Sequence, residues 1–352
     1  MEYYAFTTPG LESITVREVK YALPDAVISR GRPGIVRFSY PGDVPPLLHL
    51  GTTEDVFALI AEGLVSRDRK GKHDVARRVS ASPHWHEAVG AARELKRKGV
   101  KRITFRVVSQ RPRGDLAYRR SDVQRTVADA VQGLFPRWKE VVDNAHLEIW
   151  VWQSDEYILA GVRLSDRRMR HRTYKVAHIG ASLKPTVACG MAWLTHPEPN
   201  DIFIDPMCGA GTILIERAYC MPYLMANGGD VDPEAISAAS ENLYSVNRPV
   251  SLSRWDATKL PIPSRTVSRI ACNLPFGRAH SASEDLRGLY SRFMREADRV
   301  LEPGGRMVLM TSQTGLLRNA LRRYGRLRCD EDYQVIVLGT RATIFCIDAA
   351  YG

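Results

Sequence analysis

Ile202-Phe203-Ile204-Asp205-Pro206-Met207-Cys208-Gly209-Ala210-Gly211-Thr212 joins an apolar run to a turn with two glycines. The pattern predicts a strand over Ile202–Asp205, a tight turn through Gly209 and Gly211, and a helix over Thr212–Tyr219. From Leu183 onward, strands and helices alternate, the mark of a parallel sheet. Gly229–Asp232 ends a second strand and Pro233–Val246 is helical. Trp255-Asp256-Ala257 sits where a third strand should end, and Arg269–Asn273 is a fourth. Leu286, Leu289, Phe293, Ala297 and Val300 recur at helical spacing. Pro303-Gly304-Gly305 should stop that helix before a buried strand over Met307–Thr311. Tyr333–Leu338 and Ala342–Asp348, around Gly339-Thr340-Arg341, predict a closing hairpin. The expected class is α/β, with a C-terminal doubly wound unit that has its own core, so that a fragment beginning near His178 should fold alone.

The first half reads as α+β. Tyr3–Thr7 and Gly34–Phe38 are strand-like, Leu11, Ile14, Val19 and Leu23 have helical spacing, and Asp55–Leu64 is buried. Ile103–Val108 is a strand and Asp122–Phe135 an amphipathic helix. Leu147–Trp152 and Tyr157–Val162 should pair around an Asp155-Glu156 turn. His84-Trp85-His86 reads as a loop. Arg163–Lys175 carries six Lys/Arg against one Asp and reads as a charged linker or arm.

The chain has 352 residues, 44% of them hydrophobic, and a formal net charge of +11. That length allows about two to three domains, each able to bury a core. The charge favours a polyanionic partner, nucleic acid being the simplest, although a basic surface without a partner is the bland alternative. Six cysteines are scattered without a Cys-x-x-Cys pair. They fit neither a zinc site nor a disulfide framework, and no metal is expected. Met-Glu-Tyr-Tyr-Ala-Phe does not resemble a signal peptide, and Val56–Val65 is too short to span a bilayer. The expectation is a soluble cytoplasmic protein.

Glycine has no Cβ, so the turn after Asp205 lets backbone approach a ligand closely. The dinucleotide fingerprint needs a third glycine at position 214. Leu stands there, so the turn suits S-adenosyl-L-methionine better than NAD, while topology alone could also explain the glycines. Asp230 ends the next strand, where a carboxylate can accept from both ribose hydroxyls. Asp232 instead suits the cap of the helix that Pro233 begins. Asp256 fits an adenine contact and a surface turn alike. The candidate cofactor contacts are Asp205, Met207, Cys208, Gly209, Gly211, Thr212, Asp230, Val231, Asp256, Ala257 and Asn273.

Asn273-Leu274-Pro275-Phe276-Gly277 follows the fourth strand. Guanine N2 and adenine N6 are poor nucleophiles because the lone pair is delocalised into the ring. The Asn273 oxygen and a backbone carbonyl near Leu274 or Pro275 could accept from the NH₂ group, draw that lone pair out of conjugation and aim it at a methyl sulfonium. Phe276 could stack on the base. Asn273, Leu274, Pro275 and Phe276 are therefore the candidate catalytic residues, an ordinary β-turn being the alternative. Cys272 precedes the asparagine and reads as a buried small hydrophobe.

These residues resemble the THUMP-domain tRNA guanine-N2 methyltransferases. The resemblance also rests on Phe6-Thr7-Thr8-Pro9-Gly10-Leu11-Glu12, on Thr104–Val107 with Arg111 and the Asp122 helix, and on Ser182-Leu183-Lys184-Pro185-Thr186. It implies a ferredoxin-like domain over 1–65, a THUMP RNA-binding domain over 66–165, a basic linker over 166–182 and a Rossmann-like class I methyltransferase domain over 183–352. The Asn-Leu-Pro-Phe-Gly form is similar to the branch that makes N2-methylguanosine at position 6 of the tRNA acceptor stem. Relatives usually carry an acidic residue about four before the asparagine, where this chain has Arg269.

The implied partner is tRNA, gripped at the acceptor stem and 3′ end, with a monomer favoured. Basic residues cluster at Lys98, Lys101, Arg102, Arg106, Arg111, Arg113, Arg119 and Arg120. The candidate RNA contacts are Arg106, Arg111, Arg113, Arg119, Arg120, Arg168, Arg170 and Lys184. The rival functions are a ribosomal-RNA guanine-N2 methyltransferase, a DNA adenine-N6 methyltransferase and a non-enzymatic RNA-binding protein.

Overall fold

The computed structural model describes residues 1–95, 102–180, 182–277, 283–337 and 339–351. It divides into two compact units. The first holds Met1–Phe6, Val19–Leu50 and Asp55–Met169, and the second Thr7–Glu18, Gly51–Glu54 and Arg170–Gly352.

In chain order the first half gives β1 (Glu2–Thr7), α1 (Glu12–Ala22), β2 (Val27–Arg32), β3 (Ile35–Ser39) and β4 (Thr53–Leu64). There follow α2 (Gly71–Ser80), α3 (Trp85–Glu94), β5 (Thr104–Arg113), α4 (Arg120–Leu134), β6 (Lys139–Glu140), β7 (Leu147–Ser154), β8 (Tyr157–Arg163) and α5 (Arg167–Arg170). The strands form one sheet in the order β2-β3-β1-β4-β8-β7-β5-β6. Antiparallel pairing of β4 with β8 makes it continuous across position 65. Tyr4, Phe57, Trp150 and Leu159 pack on this sheet.

His84-Trp85-His86 is not a loop. Trp85 opens α3, is buried, and donates its indole N–H to the Val79 carbonyl at 2.8 Å. The polar histidines on either side hide a core residue. Nor is Arg163–Lys175 a free arm. Arg163 pairs with Asp55 at 2.6 Å and Glu148 at 3.0 Å within the first unit. In the second unit Arg172 pairs with Glu216 at 3.1 Å, and Tyr174 donates to the same carboxylate at 2.6 Å.

The second unit adds α6 (Pro185–Leu194), β9 (Ile202–Asp205), α7 (Thr212–Cys220), β10 (Met225–Asp230), α8 (Pro233–Leu243), β11 (Ser251–Arg254) and β12 (Val267–Asn273). It closes with α9 (Ser283–Val300), β13 (Leu301–Thr311), α10 (Thr314–Leu321), β14 (Leu327–Val337) and β15 (Thr340–Ala349). The sheet order is β11-β10-β9-β12-β13-β15-β14. The first five strands are parallel and β15 runs antiparallel between β13 and β14. This is the doubly wound α/β sheet that the strand–helix alternation predicts.

Pro303-Gly304-Gly305 has a different role from the one expected. The helix already ends at Val300. Leu301 pairs with Val267 and Arg306 with Arg269, so residues 302–305 bulge out of β13. Leu338 lies outside the described residues. Among the described residues no helix is long and apolar enough to cross a membrane.

The core of the second unit does not begin at His178. Leu11 and Ile14 are fully buried in the same cluster as Met191, Leu214 and Val308. A fragment starting at His178 loses both, at about 1.5–3 kcal/mol each, and leaves Glu216 buried without Arg172 and Tyr174. We expect such a fragment to show no cooperative unfolding transition in urea. A cooperative transition matching that of the intact chain would contradict this partition.

Candidate active site

β9 and β12 are parallel neighbours in the sheet although β10 and β11 lie between them in sequence. Strand order reverses there, and in doubly wound sheets the crevice at the strands' C-terminal ends opens at such a point. The turn after β9 and the loop after β12 accordingly line one cavity of about 800 Å³. Asp205, Met207, Cys208, Gly209, Thr212, Asp230, Val231, Asp256 and Ala257 line it together with Asn273, Leu274, Pro275 and Phe276. Gly211 is the exception among the expected contacts. It caps α7 at φ 76°, and a Cβ on it would lie 3.2 Å from Ala239 Cβ, so it serves the turn and the packing of α8.

Trp255 holds three strand ends together. Its indole N–H donates to the Pro206 carbonyl at 3.0 Å, and its backbone N–H to the Asp230 carbonyl at 3.2 Å. A Cβ on Gly229 would lie 2.1 Å from the indole ring, so only glycine fits beneath it. The Asp230 carboxylate accepts from Gly209 N at 3.0 Å and from Asp232 N at 3.1 Å. Each oxygen keeps a lone pair. Asp232 caps α8, accepting from Glu234 N at 2.9 Å. Asp256 is both things the sequence allows: it closes a local turn with Thr258 and lines the cavity.

Asp205 is buried, and desolvation pushes its carboxyl up to about 8, with the neighbouring Asp230 charge adding to the shift. Burial also pushes the Cys208 and Cys272 thiols up, which suits neither for attack as a thiolate. Among the described residues no group of three or more His, Cys, Asp or Glu is arranged to hold a metal ion.

The Asn273 Oδ1 atom is buried and accepts no hydrogen bond among the described residues. The loop around it is tied from behind. Leu274 N donates to the Met310 carbonyl at 2.9 Å. The Tyr290 hydroxyl donates to the Pro275 carbonyl at 3.0 Å and lies 2.6 Å from Thr311 Oγ1. Gln313 donates its backbone N–H to Thr311 Oγ1 at 2.8 Å and its side-chain amide to the Phe276 carbonyl at 3.0 Å. The sequence reading missed Tyr290, Thr311 and Gln313. The available signal was a tyrosine on the apolar face of α9 and a threonine ending the apolar run Met307–Met310 of β13.

Arg269 lies near the start of β12, with Asn273 at its end. It is buried and pairs with Asp201, which also pairs with the fully buried Arg217 at 2.8 Å. Its charge serves a structural network, and the departure from the family pattern leaves the Asn273 loop undisturbed.

The expected RNA contacts are dispersed. In the first unit, Arg106 pairs with Asp143 and Glu148, and Arg168 with Asp166. Arg111 is turned onto the Tyr118 ring and carbonyl. Arg102, Arg119 and Arg120 are exposed. In the second unit, Arg170 and Lys184 share Glu54. Lys98, Lys101 and the Arg113 side chain lie outside the described residues.

Residues 172–343 match the family described as RMKL-like, methyltransferase domain. The chain is 30% identical over 240 residues to tRNA (guanine(6)-N(2))-methyltransferase THUMP3 of Bos taurus, covering 64% of this chain and 47% of that one. It thus spans about half the length of that relative. It is 29% identical over 320 residues to tRNA (guanine(6)-N2)-methyltransferase of Thermus thermophilus, covering 90% of this chain and 91% of that one. The crystal structure of TrmN from Thermus thermophilus superposes with a TM-score of 0.81 at 26% identity, covering 99% of both chains. The cavity at the ends of β9 and β12 therefore lies in a Rossmann-like methyltransferase domain, within the residues, 172–343, that match the RMKL-like family model.

Proposed function

We propose that the chain transfers a methyl group from S-adenosyl-L-methionine to the exocyclic N2 of a guanosine in tRNA, at position 6 of the acceptor stem. One observation carries the chemistry: Asn273, whose side-chain oxygen is buried and unpartnered among the described residues, lines the same cavity as the Asp205–Thr212 turn and Asp230. The tRNA and the position are supported by the printed names of the relatives and by the Asn-Leu-Pro-Phe-Gly form of the loop. The same reading assigns 1–65 to a ferredoxin-like domain and 66–165 to a THUMP domain.

The residues present fit the cofactor. Gly209 holds φ 52°, and a Cβ on it would meet Ile179 at 3.3 Å, so its backbone faces the cavity bare. Asp230 can accept from ribose hydroxyls with the lone pairs left by Gly209 and Asp232, while Asp256 and Ala257 border the adenine end. When bound, S-adenosylmethionine supplies a methyl carried on a sulfonium. Asn273 Oδ1 accepts from the guanine NH₂ and draws its lone pair out of the ring. The second acceptor is a backbone carbonyl of Leu274 or Pro275, the Pro275 oxygen already accepting one hydrogen bond from Tyr290. Phe276, held through its own carbonyl by Gln313, stacks on the base. A guanosine in a stem must be flipped out to reach this loop.

Three outcomes follow. Asn273→Ala should leave cofactor affinity nearly unchanged and lower the single-turnover methylation rate by about 100-fold or more, because the contact matters mainly in the transition state. Near-normal turnover would rule out polarisation by Asn273. Asp230→Ala should weaken cofactor binding by about 1.5–3 kcal/mol in calorimetry. Unchanged affinity in a folded variant removes Asp230 from the site. The third concerns pH. Unfolded aspartate titrates near about 3.9, whereas folded Asp205 titrates at about 8. Between these values the folded state holds the extra proton, so the contribution of Asp205 to stability falls as pH rises. Asp205→Asn removes that slope, and its stability advantage over the parent should grow across that range in urea titrations. A constant difference would show that Asp205 is ionised in the fold.

A further inference from the structure

We propose that exposed arginines on α9 and α10 form a phosphate-binding track that grips the RNA helix beside the active-site cavity. The proposal rests on the function proposed above and adds a surface within the methyltransferase domain itself. After Lys259 the chain has fourteen arginines and no lysine. Arg is the side chain whose planar fork pairs with phosphate in bidentate fashion.

Both helices start at the cavity. Leu286 and Leu289 of α9 line it, as do Gln313 and Leu316 at the start of α10. Phe293, Ala297 and Val300 bury one side of α9. Arg292 and Arg295, three residues apart, share the other side and are exposed, with Arg287 one turn nearer the cavity. Arg323 donates to Ser291 Oγ at 2.9 Å, which sets Arg322 and Arg323 of the α10 end against the same stretch of α9.

These side chains differ from their arginine neighbours in forming no close ion pair among the described residues, although Arg295 also acts on Glu296 at longer range. Nearby Arg299, Arg318 and Arg326 each pair with a carboxylate at 2.7–2.9 Å. Among the described residues Arg287, Arg292, Arg295, Arg322 and Arg323 pair with none. Like charges three residues apart on a helix destabilise it slightly, so the fold gains nothing from Arg292 beside Arg295. Of the cationic residues singled out in the first half and linker, Arg106, Arg168, Arg170 and Lys184 already face carboxylates, while Arg102, Arg119 and Arg120 are exposed. Free guanidinium groups release condensed counterions when they meet a phosphate backbone, and each adds to the salt dependence of binding.

The test is fluorescence anisotropy of the full chain with a fluorescein-labelled tRNA transcript bearing guanosine at position 6, titrated across about 50–200 mM salt. Arg292→Gln/Arg295→Gln/Arg322→Gln should weaken binding by about 10-fold or more and reduce the slope of log affinity against log salt by about two to three. It should raise KM for the transcript while leaving kcat and cofactor affinity near the parent values. A control triple of already paired surface arginines, Arg67→Gln/Arg77→Gln/Arg318→Gln, removes equal charge and should change the slope by less than one. An unchanged slope in the first variant, or an equal loss in both, overturns the track. If the track variant behaves as expected but the parent methylates no guanosine, the surface stands and the proposed reaction falls.

Discussion

The parallel pairing of β9 with β12 is the constraint on which the site depends. With β10 and β11 on one side and β13 on the other, the chain leaves these two strands in opposite directions, and their C-terminal ends cannot be covered by a shared helix. The turn after Asp205 and the loop after Asn273 are thereby set opposite each other around one cavity. Trp255 then ties the β9 and β10 ends into one rim, and glycine at 229 leaves room for its ring. Shifting β12 by one residue would turn Asn273 to the opposite face of the sheet.

Costs gather where the chemistry is. Asp205 is a carboxyl in a place that favours its neutral form, and Asn273 Oδ1 is a buried acceptor with no donor among the described residues. Either would be better replaced if stability alone counted. Away from the site, buried charge is met: Arg217 and Arg269 by Asp201, and Glu216 by Arg172 and Tyr174. Other buried polar atoms, such as Tyr4 Oη and Gln153 Oε1, also lack a partner among the described residues, so what sets Asn273 apart is its place in the lining of the cavity.

Much of this was legible in the sequence, and the reasons for the rest are specific. The strand–turn–helix at Ile202–Thr212 and the loop at Asn273–Gly277 can be read because glycine, proline and an amide mark backbone geometry locally. Asp232 was legible as a cap because Pro233 follows it. Tyr290, Thr311 and Gln313 were not, since they reach the loop from α9, from the end of β13 and from the turn into α10, and their roles exist only in three dimensions. The contribution of Leu11 and Ile14 to the second unit's core was hidden for the same reason: spacing shows that they form an apolar face, and says nothing about what it meets. The charge of Arg163–Lys175 misled in the other direction. Net charge counts cations without their carboxylates, and Glu54, Asp55 and Glu216 lie far away in sequence.

Identification of the product nucleoside bears most directly on the central claim. The protein would be incubated with isotopically labelled S-adenosylmethionine and, separately, with unmodified tRNA, ribosomal RNA and duplex DNA, and the digested nucleosides resolved by mass spectrometry. The account predicts label in N2-methylguanosine, from tRNA, mapping to position 6. Label in N6-methyladenosine, label confined to ribosomal RNA or DNA, or no label in any nucleic acid would contradict it.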